Sequence, residues 1–383
     1  MNANFIPYSR HQVDSHDVEA VIGVLKSPWL TTGCKVTEFE EAVARYCGVK
    51  YAVAVSSGTA ALHCAAYAAG IGPGDEVIIP AVTFAATANC VAALGAKPII
   101  VDVDPDTLLI DVSGIEKHLN NNTRAIISVD YAGQPCNYDI LQEVTDRYNL
   151  RLIADSCHAL GACFNGMHTG QLADLTVFSF HPVKHITTGE GGMVVTNDSR
   201  YAEMMRRFRN HGITADHHQR SREDTWYYEI ADIGFNYRIT DIQCALGISQ
   251  LAKLDRWLAR RRQIAGYYAN AFESASAIRP LTVSPCVDHA YHLYVVRLAT
   301  NQLKIFRATV FKALRENGIG ANVHYIPLNL QPYYQNRFGA YRGQCPAAEA
   351  AYEQILSLPI YPSMTEQDVE RVTATLDTIL SDR

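Results

Sequence analysis

The chain has 383 residues, of which 48% are hydrophobic and 19% charged, a balance that suits a globular protein with a large core. Its 33 Lys and Arg against 39 Asp and Glu leave a net charge of −6, which argues against a nucleic-acid partner, since phosphate contacts need a basic excess or stripe. The ten cysteines include no C-x-x-C pair, the opening MNANFIPYSRH has no apolar signal core, and no run reaches membrane-spanning length; a cytoplasmic protein with neither metal nor membrane contact is expected.

Residues 1–13 read as an extended arm. Asp14 or Ser15 can cap a helix whose apolar positions Val18, Val21, Ile22 and Leu25 follow helical spacing until Pro28 stops it. After a loop, Val36, Phe39 and Val43 mark a second amphipathic helix closed by Gly48. From Tyr51 the pattern becomes strand, turn, helix. Short apolar strands are expected at 51–55, 76–79, 98–101, 125–130, 152–154, 176–180 and 193–196, with helices at 60–69 and 83–94. Such alternation predicts an α/β domain around a mainly parallel sheet. Residues 241–262 read as one long helix, 291–298 as a strand, 305–317 as a helix, 318–324 as the lead into a Pro-rich loop, and 367–380 as a terminal helix. The boundary is placed near residue 255: an arm at 1–13, a large domain at 14–254 and a smaller α+β domain at 255–383.

Three strand ends carry residues that can do chemistry. Ser56-Ser57-Gly58-Thr59 joins a strand to a helix, whose first amide N–H groups and dipole favour an anion; the same residues also make an ordinary N-cap. Asp155 follows the strand at 152–154, with His158 three residues on, at the edge where open α/β sheets bind ligands; a structural Asp capping the next turn is the plainer alternative. Ser179, His181 and Lys184 end another strand and run into Thr187-Thr188-Gly189-Glu190-Gly191-Gly192. A lysine held there can sit out of bulk water, with a lowered pKa and a nucleophilic amine. Anion cradle, carboxylate and lysine form the set that pyridoxal phosphate requires. Phe84 is placed either to stack on that ring or to pack in the core. His217-His218 read as a solvated loop and not as a metal site.

At this point the sequence resembles the fold-type I, pyridoxal-phosphate-dependent sugar aminotransferases of the DegT/DnrJ/EryC1/StrS family. Six segments fall in the family's order: Pro28-Trp29-Leu30-Thr31-Thr32-Gly33, Ser57-Gly58-Thr59, Thr83-Phe84-Ala85-Ala86-Thr87-Ala88-Asn89, Thr187-Thr188-Gly189-Glu190-Gly191-Gly192, Asn236-Tyr237-Arg238-Ile239-Thr240-Asp241-Ile242-Gln243 and His324-Tyr325-Ile326-Pro327. The resemblance implies Lys184 as the Schiff-base lysine and Asp155 as partner of the pyridine nitrogen. It implies Phe84 at the ring face, His158 near the ring hydroxyl, and Ser57, Gly58, Thr59 and Ser179 at the phosphate. Asn236 matches an asparagine that reaches the neighbouring subunit's phosphate, which implies a homodimer with shared sites. Tyr8, Trp29, Leu30, Thr31, His181, His324, Tyr325, Ile326 and Pro327 match substrate-contacting positions.

Within the family, Ser128-Val129-Asp130-Tyr131-Ala132-Gly133 and Ser179-Phe180-His181-Pro182-Val183-Lys184 are most similar to the branch serving pseudaminic acid biosynthesis. That branch implies transfer of the amino group of L-glutamate, released as 2-oxoglutarate, to C4 of a UDP-linked 4-keto-6-deoxy-2-acetamido sugar. Amination of another UDP- or dTDP-linked keto sugar, at C3 or C4, is the alternative. A sugar dehydratase of this fold replaces the lysine by histidine, and a cofactor-sensing regulator needs a DNA-binding module; Lys184 and the −6 charge weigh against them. His185, directly after Lys184, departs from the family pattern.

Overall fold

Runs of Val, Ile and Ala between polar turns make strands that are buried on both faces, so they gather into one central sheet with helices on either side. A computed structural model describes residues 5–215, 217–299 and 306–381. The sheet strands are β1 (Tyr51–Val55), β2 (Glu76–Pro80), β3 (Lys97–Val101), β4 (Thr123–Val129) and β5 (Arg151–Asp155), followed, after the two-residue strands β6 (Cys163–Phe164) and β7 (Met167–His168), by β8 (Leu175–Ser179) and β9 (Gly192–Thr196). They lie in the order β1-β9-β8-β5-β4-β2-β3. Only β9 runs against its neighbours, β1 and β8; every other pair is parallel. The carboxyl ends of β1, β5 and β8 therefore share one edge, where open α/β sheets form their ligand crevice.

The first helices are α1 (Ser15–Leu25), α2 (Cys34–Cys47), α3 (Gly58–Ala68), α4 (Ala85–Ala93), α5 (Tyr138–Tyr148) and α6 (Ser199–Phe208), followed by the short α7 (His217–Arg222). α8 (Asp241–Leu251) and α9 (Leu254–Phe272) come next. A second sheet, β10 (Ile278–Pro280), β12 (Tyr294–Leu298) and β13 (Ile355–Leu358), packs with helices Arg307–Glu316 and Glu366–Ser381 around Val296, Val310, Leu314, Leu356 and Val372. β11 (Val287–Asp288) pairs with β6. α9 spans two cores: Leu254, Trp257 and Leu258 belong to one, Ile264, Tyr268 and Phe272 to the other. Ile6 of the arm bridges to Ile319 beside the second core.

Several expectations are corrected. The long helix at 241–262 is two helices, broken at Ala252 and Lys253 without a Pro or Gly. The cause is tertiary: at the break the Lys253 ammonium turns inward to Asp14 and Asp17, 2.6 and 2.8 Å away. On α1 the apolar stripe is not the buried face. Val18, Ile22 and Leu25 are exposed, whereas Asp17 and Val24 are buried against α8. Asp17 tolerates burial because it accepts from Asp14 N at 3.0 Å and from Gln250 Nε2 at 2.7 Å beside the Lys253 charge. His217 and His218 begin α7 rather than a loop. α5 and α6, not anticipated from the pattern, start on the side-chain caps Asn137 and Asp198. The strand at 291–298 shortens to β12, and the helix expected at 305–317 spans Arg307–Glu316, with residue 305 outside the described residues. Among the described residues no helix is long and apolar enough to cross a membrane.

Candidate active site

β8 and β9 form a hairpin, and its long connection carries Lys184. The connection is tied across its neck: Phe180 N donates to Gly191 O at 2.9 Å and Thr188 N to Phe180 O at 3.0 Å. Thr187 Oγ1 also donates to Phe180 O, at 3.0 Å, while accepting from Gly189 N at 2.9 Å. Gly189 has φ of 82°, which a side chain would strain. Lys184 N closes a turn onto His181 O at 2.8 Å. Burial pushes the Lys184 amine below the ordinary lysine range, while nearby Cys157 and Asp155 pull it back up.

Asp155 ends β5 and is 6% exposed. Its Oδ2 accepts from Thr87 Oγ1 at 2.7 Å, and its Oδ1 from Cys157 N at 3.3 Å. Thr83 and Thr87 hydroxyls are 2.7 Å apart. Thr87 has one proton and gives it to the carboxylate, so Thr83 is the donor to Thr87. The start of α4 thus orients Asp155, and Phe84, the N-cap residue between these two threonines, stays 59% exposed beside the Tyr325 ring, centroids 6.0 Å apart.

Ser57 caps α3, accepting from Ala60 N at 3.1 Å. A Cβ on Gly58 would lie 2.9 Å from Ser179 Cβ and 3.4 Å from Cys157 Sγ; one on Gly192 would lie 2.3 Å from Ser57 O. Only glycine allows the α3 N-terminus to approach the ends of β5, β8 and β9 so closely. The result is a cradle of helix-end amides with the Ser57 and Ser179 hydroxyls. Thr59, in the first turn of α3, is exposed.

A group of buried rings forms the other wall. His158 Nε2 lies 3.2 Å from Tyr325 OH, and its Nδ1 is buried without a protein partner. His292 packs on His158 with centroids 4.3 Å apart, and His185 on His292 at 5.6 Å. Burial holds all three imidazoles far below the usual histidine pKa. His185 donates from Nε2 to Ala290 O at 3.1 Å. It therefore stands as a buried support of the wall, whereas His181 is exposed beside the lysine turn. His324 is fixed as the Nδ1–H tautomer: Asn322 Nδ2 faces its Nε2 at 3.3 Å, and Ser357 Oγ lies 2.8 Å from Nδ1. Its carbonyl accepts from Tyr131 OH, and the Tyr8 ring lies 5.8 Å from its imidazole. Pro327 is buried and Ile326 exposed.

One chain thus gathers Lys184, Asp155, His158, Ser57, Gly58, Ser179, Phe84, Tyr325, His324 and Tyr8. The 29–31 loop is held elsewhere, on the start of α8: Asp241 N donates to Leu30 O at 3.0 Å, and Thr31 bridges to Thr240. There Trp29 lines an apolar cavity of about 490 Å³ with Val24, Ala245 and Ile248. Asn236 is exposed on a loop that bridges to Asn210 and gives the Tyr237 carbonyl to Ser56 N at 2.8 Å. Thr87, His292 and Gln250 were missed from sequence. Thr87 lies within a quoted segment, but only its spacing of four from Thr83, one helical turn, signals the pair.

The arrangement fits pyridoxal phosphate. The glycine-lined cradle suits a phosphate, the exposed Phe84 ring a planar partner, the oriented Asp155 a protonated ring nitrogen, and the unpartnered His158 Nδ1 a ring oxygen.

Comparison with known proteins agrees. The sequence profile of the DegT/DnrJ/EryC1/StrS aminotransferase family matches residues 11–377. The chain is 39% identical over 371 residues to the spore coat polysaccharide biosynthesis protein SpsC of Bacillus subtilis, covering 96% of this chain and 95% of that protein. Its structure resembles Helicobacter pylori PseC, an aminotransferase involved in pseudaminic acid biosynthesis, with TM-score 0.92 and 33% identity over 99% of this chain and 100% of that one. It also resembles the sugar aminotransferase Spr1654 of Streptococcus pneumoniae in its PLP form, with TM-score 0.91 and 32% identity over 99% of both chains.

Proposed function

The chain belongs to the DegT/DnrJ/EryC1/StrS aminotransferase family and is a pyridoxal-phosphate-dependent sugar aminotransferase; from that premise we propose that it moves the amino group of L-glutamate to C4 of a UDP-linked 4-keto-6-deoxy-2-acetamido sugar. The observation that carries the reading is the meeting of Lys184, Asp155 and the Ser57-Gly58 cradle at three strand ends of one sheet. The choice of sugar is supported by the likeness to PseC along the whole chain and by the motifs at 128–133 and 179–184.

When bound, the cofactor supplies an electron sink for the carbon that gains or loses nitrogen. Asp155, held by Thr87, keeps the proton on the ring nitrogen that this sink requires. Ser57, Gly58, Thr59 and Ser179 would hold the phosphate, Phe84 would cover the ring, and His158 would face its oxygen. Lys184 would be the residue that anchors the cofactor, and its amine would move a proton to and from the reacting substrate carbon. Burial favours its neutral amine, the form that can do both. Tyr8, His181, His324 and Tyr325, with Ile326 and Pro327, surround the sugar.

The chain is proposed to act as a homodimer. Val18, Ile22, Leu25, Trp29 and Leu30 are exposed on α1 and the loop after it, and Trp226, Tyr227, Ile230 and Ile233 on the segment before α8, more apolar surface than scattered exposure explains. A second copy would bring its Asn236 and its 29–31 loop to the lysine. The division near residue 255 is kept, supported by α9 passing from one core to the next. A cytoplasmic setting is supported by ten cysteines that are all free thiols.

The test is to offer glutamate with a panel of UDP- and dTDP-linked 3-keto and 4-keto sugars and identify the product by NMR. A 4-amino product from the UDP-linked 2-acetamido sugar is expected. Turnover confined to a dTDP-sugar, or amination at C3, would overturn the substrate assignment.

A further inference from the structure

Gln250, on α8, is 1% exposed and joins three segments that are distant in sequence. Its Nε2 donates to Gln12 O of the arm at 2.9 Å and to Asp17 Oδ2 of α1 at 2.7 Å. Its Oε1 accepts from Thr187 N, in the lysine turn, at 3.4 Å. Two acceptors on one side and a donor on the other fix which end of the amide is nitrogen. Asp17 is itself anchored by Lys253 at 2.8 Å, so the far end of this link rests on a buried ion pair and not on a mobile side chain. The arm touches the turn a second time: Ser9 Oγ donates to Val183 O at 3.2 Å. The residues on either side of Lys184, Val183 and Thr187, are therefore both tied to the arm, one directly and one through Gln250.

We propose that Gln250 is a positioning residue for Lys184, bracing the lysine turn against the N-terminal arm and α1. Among the described residues the turn's internal backbone bonds close its neck at Phe180, Thr188 and Gly191, and its tip is held from outside by side-chain bonds, His185 to Ala290 O on one side and Gln250 to Thr187 N on the other. The brace ties the Thr187 side of the tip to α8, α1 and the arm. A lysine that must first hold a cofactor and then carry a proton depends on sub-ångström placement. The inference rests on Lys184 being the cofactor lysine.

The test compares wild-type holoenzyme with Gln250→Leu, which roughly keeps volume but neither donates nor accepts. Two quantities are read: backbone amide exchange by mass spectrometry across residues 180–191, and kcat and KM. Exchange in the turn is expected to rise about tenfold with β8 and β9 unchanged, and kcat to fall about tenfold with KM within about twofold. Gln250→Glu keeps an acceptor for Thr187 N but sets a second carboxylate against Asp17. It is expected to loosen residues 9–17 more than the turn. Wild-type exchange in the turn of a folded Gln250→Leu protein overturns the proposal, and so does a uniform rise along the whole chain, which would mark general destabilisation. A loosened turn with unchanged kcat overturns the positioning role without touching the assignment of Lys184. If Gln250→Leu does not fold, Gln250→Met, close in shape and without the amide, is read in its place, and a turn that then exchanges as in wild type is equally fatal.

Discussion

Thr87 donates its hydroxyl proton to Asp155 Oδ2 at 2.7 Å, and Thr83 donates in turn to Thr87. The carboxylate at the end of β5 is thereby aimed by the helix that follows β2, two strands away across the sheet. A hydrogen bond to an ionised group contributes about 1.5–3 kcal/mol, so its loss is large enough to see in kcat.

Thr87→Val keeps the shape and removes the donor. The expected result is a kcat roughly tenfold to a hundredfold lower with glutamate KM little changed. Thr87→Ser should restore most of the rate. Asp155→Asn, which retains shape but not charge, should be slower than Thr87→Val. A Thr87→Val enzyme within twofold of wild type would mean that Cys157 N alone orients the carboxylate.

Lys184→Ala removes the only amine placed by the β8–β9 connection. The variant is expected to lose the visible absorption of the lysine-bound cofactor and to lose turnover, while the folded state persists because the neck bonds at Phe180, Thr187 and Thr188 do not involve the Lys184 side chain. Spectra after cofactor loading, with kinetics in the absence of added amines, decide it. Turnover near wild type would require another nucleophile.

The legible parts of this chain are those governed by local pattern. β1 through β5 and the β8–β9 hairpin stand where apolar runs and turn residues placed them, and Gly48 takes the left-handed cap at φ 69°. Lys184, Asp155 and Ser57 could be brought together as candidates because strand ends are predictable from strands. What stayed hidden depends on pairs far apart in sequence. Nothing local says that Asp17 is buried while Val18 is exposed, because the reason lies in Gln250 and Lys253, more than two hundred residues on. The same distance effect hid the break before α9 and the packing of His292 on His158. The shared-site role of Asn236 was read from resemblance alone, since no single chain displays it.

That role has its own test. Lys184→Ala and Asn236→Ala proteins are each expected to be nearly inactive. Mixed under conditions that let subunits exchange, they form heterodimers in which one site combines an intact Lys184 with the partner's intact Asn236. Up to about half of the sites in each heterodimer should then be functional. Recovered activity in the mixture, scaled to heterodimer content measured by native mass spectrometry, is the expected outcome. Heterodimers without activity would place Asn236 within its own chain's site.

The buried histidines predict how stability depends on pH. His289 is 8% exposed, accepts from Tyr291 N at 2.8 Å on Nδ1 and stacks on the Tyr291 ring with centroids 4.0 Å apart. Burial, with the nearby Arg262 charge, holds its pKa down to about 3. In the unfolded chain a histidine binds a proton below about pH 6.5. The unfolded state therefore binds more protons than the folded state between these limits. The contribution is fully present above pH 6.5 and is lost as pH falls toward 3, at about 1.4 kcal/mol per pH unit for one such residue. His158, His185 and His292 act in the same direction, and His324, held near 4, adds to it. The protein should thus weaken steeply below pH 6.5. His289→Asn keeps an acceptor for Tyr291 N and removes one titrating group. At pH 7.5 the variant should be less stable than wild type by about 1 kcal/mol for the lost ring contact. Urea unfolding at pH 7.5, 6.5 and 5.5 should show this gap closing and then reversing as the pH falls, with a change of about 1 kcal/mol between the last two. Parallel profiles for the two proteins would show that His289 is protonated in the folded state and that its burial is balanced by a partner other than Tyr291.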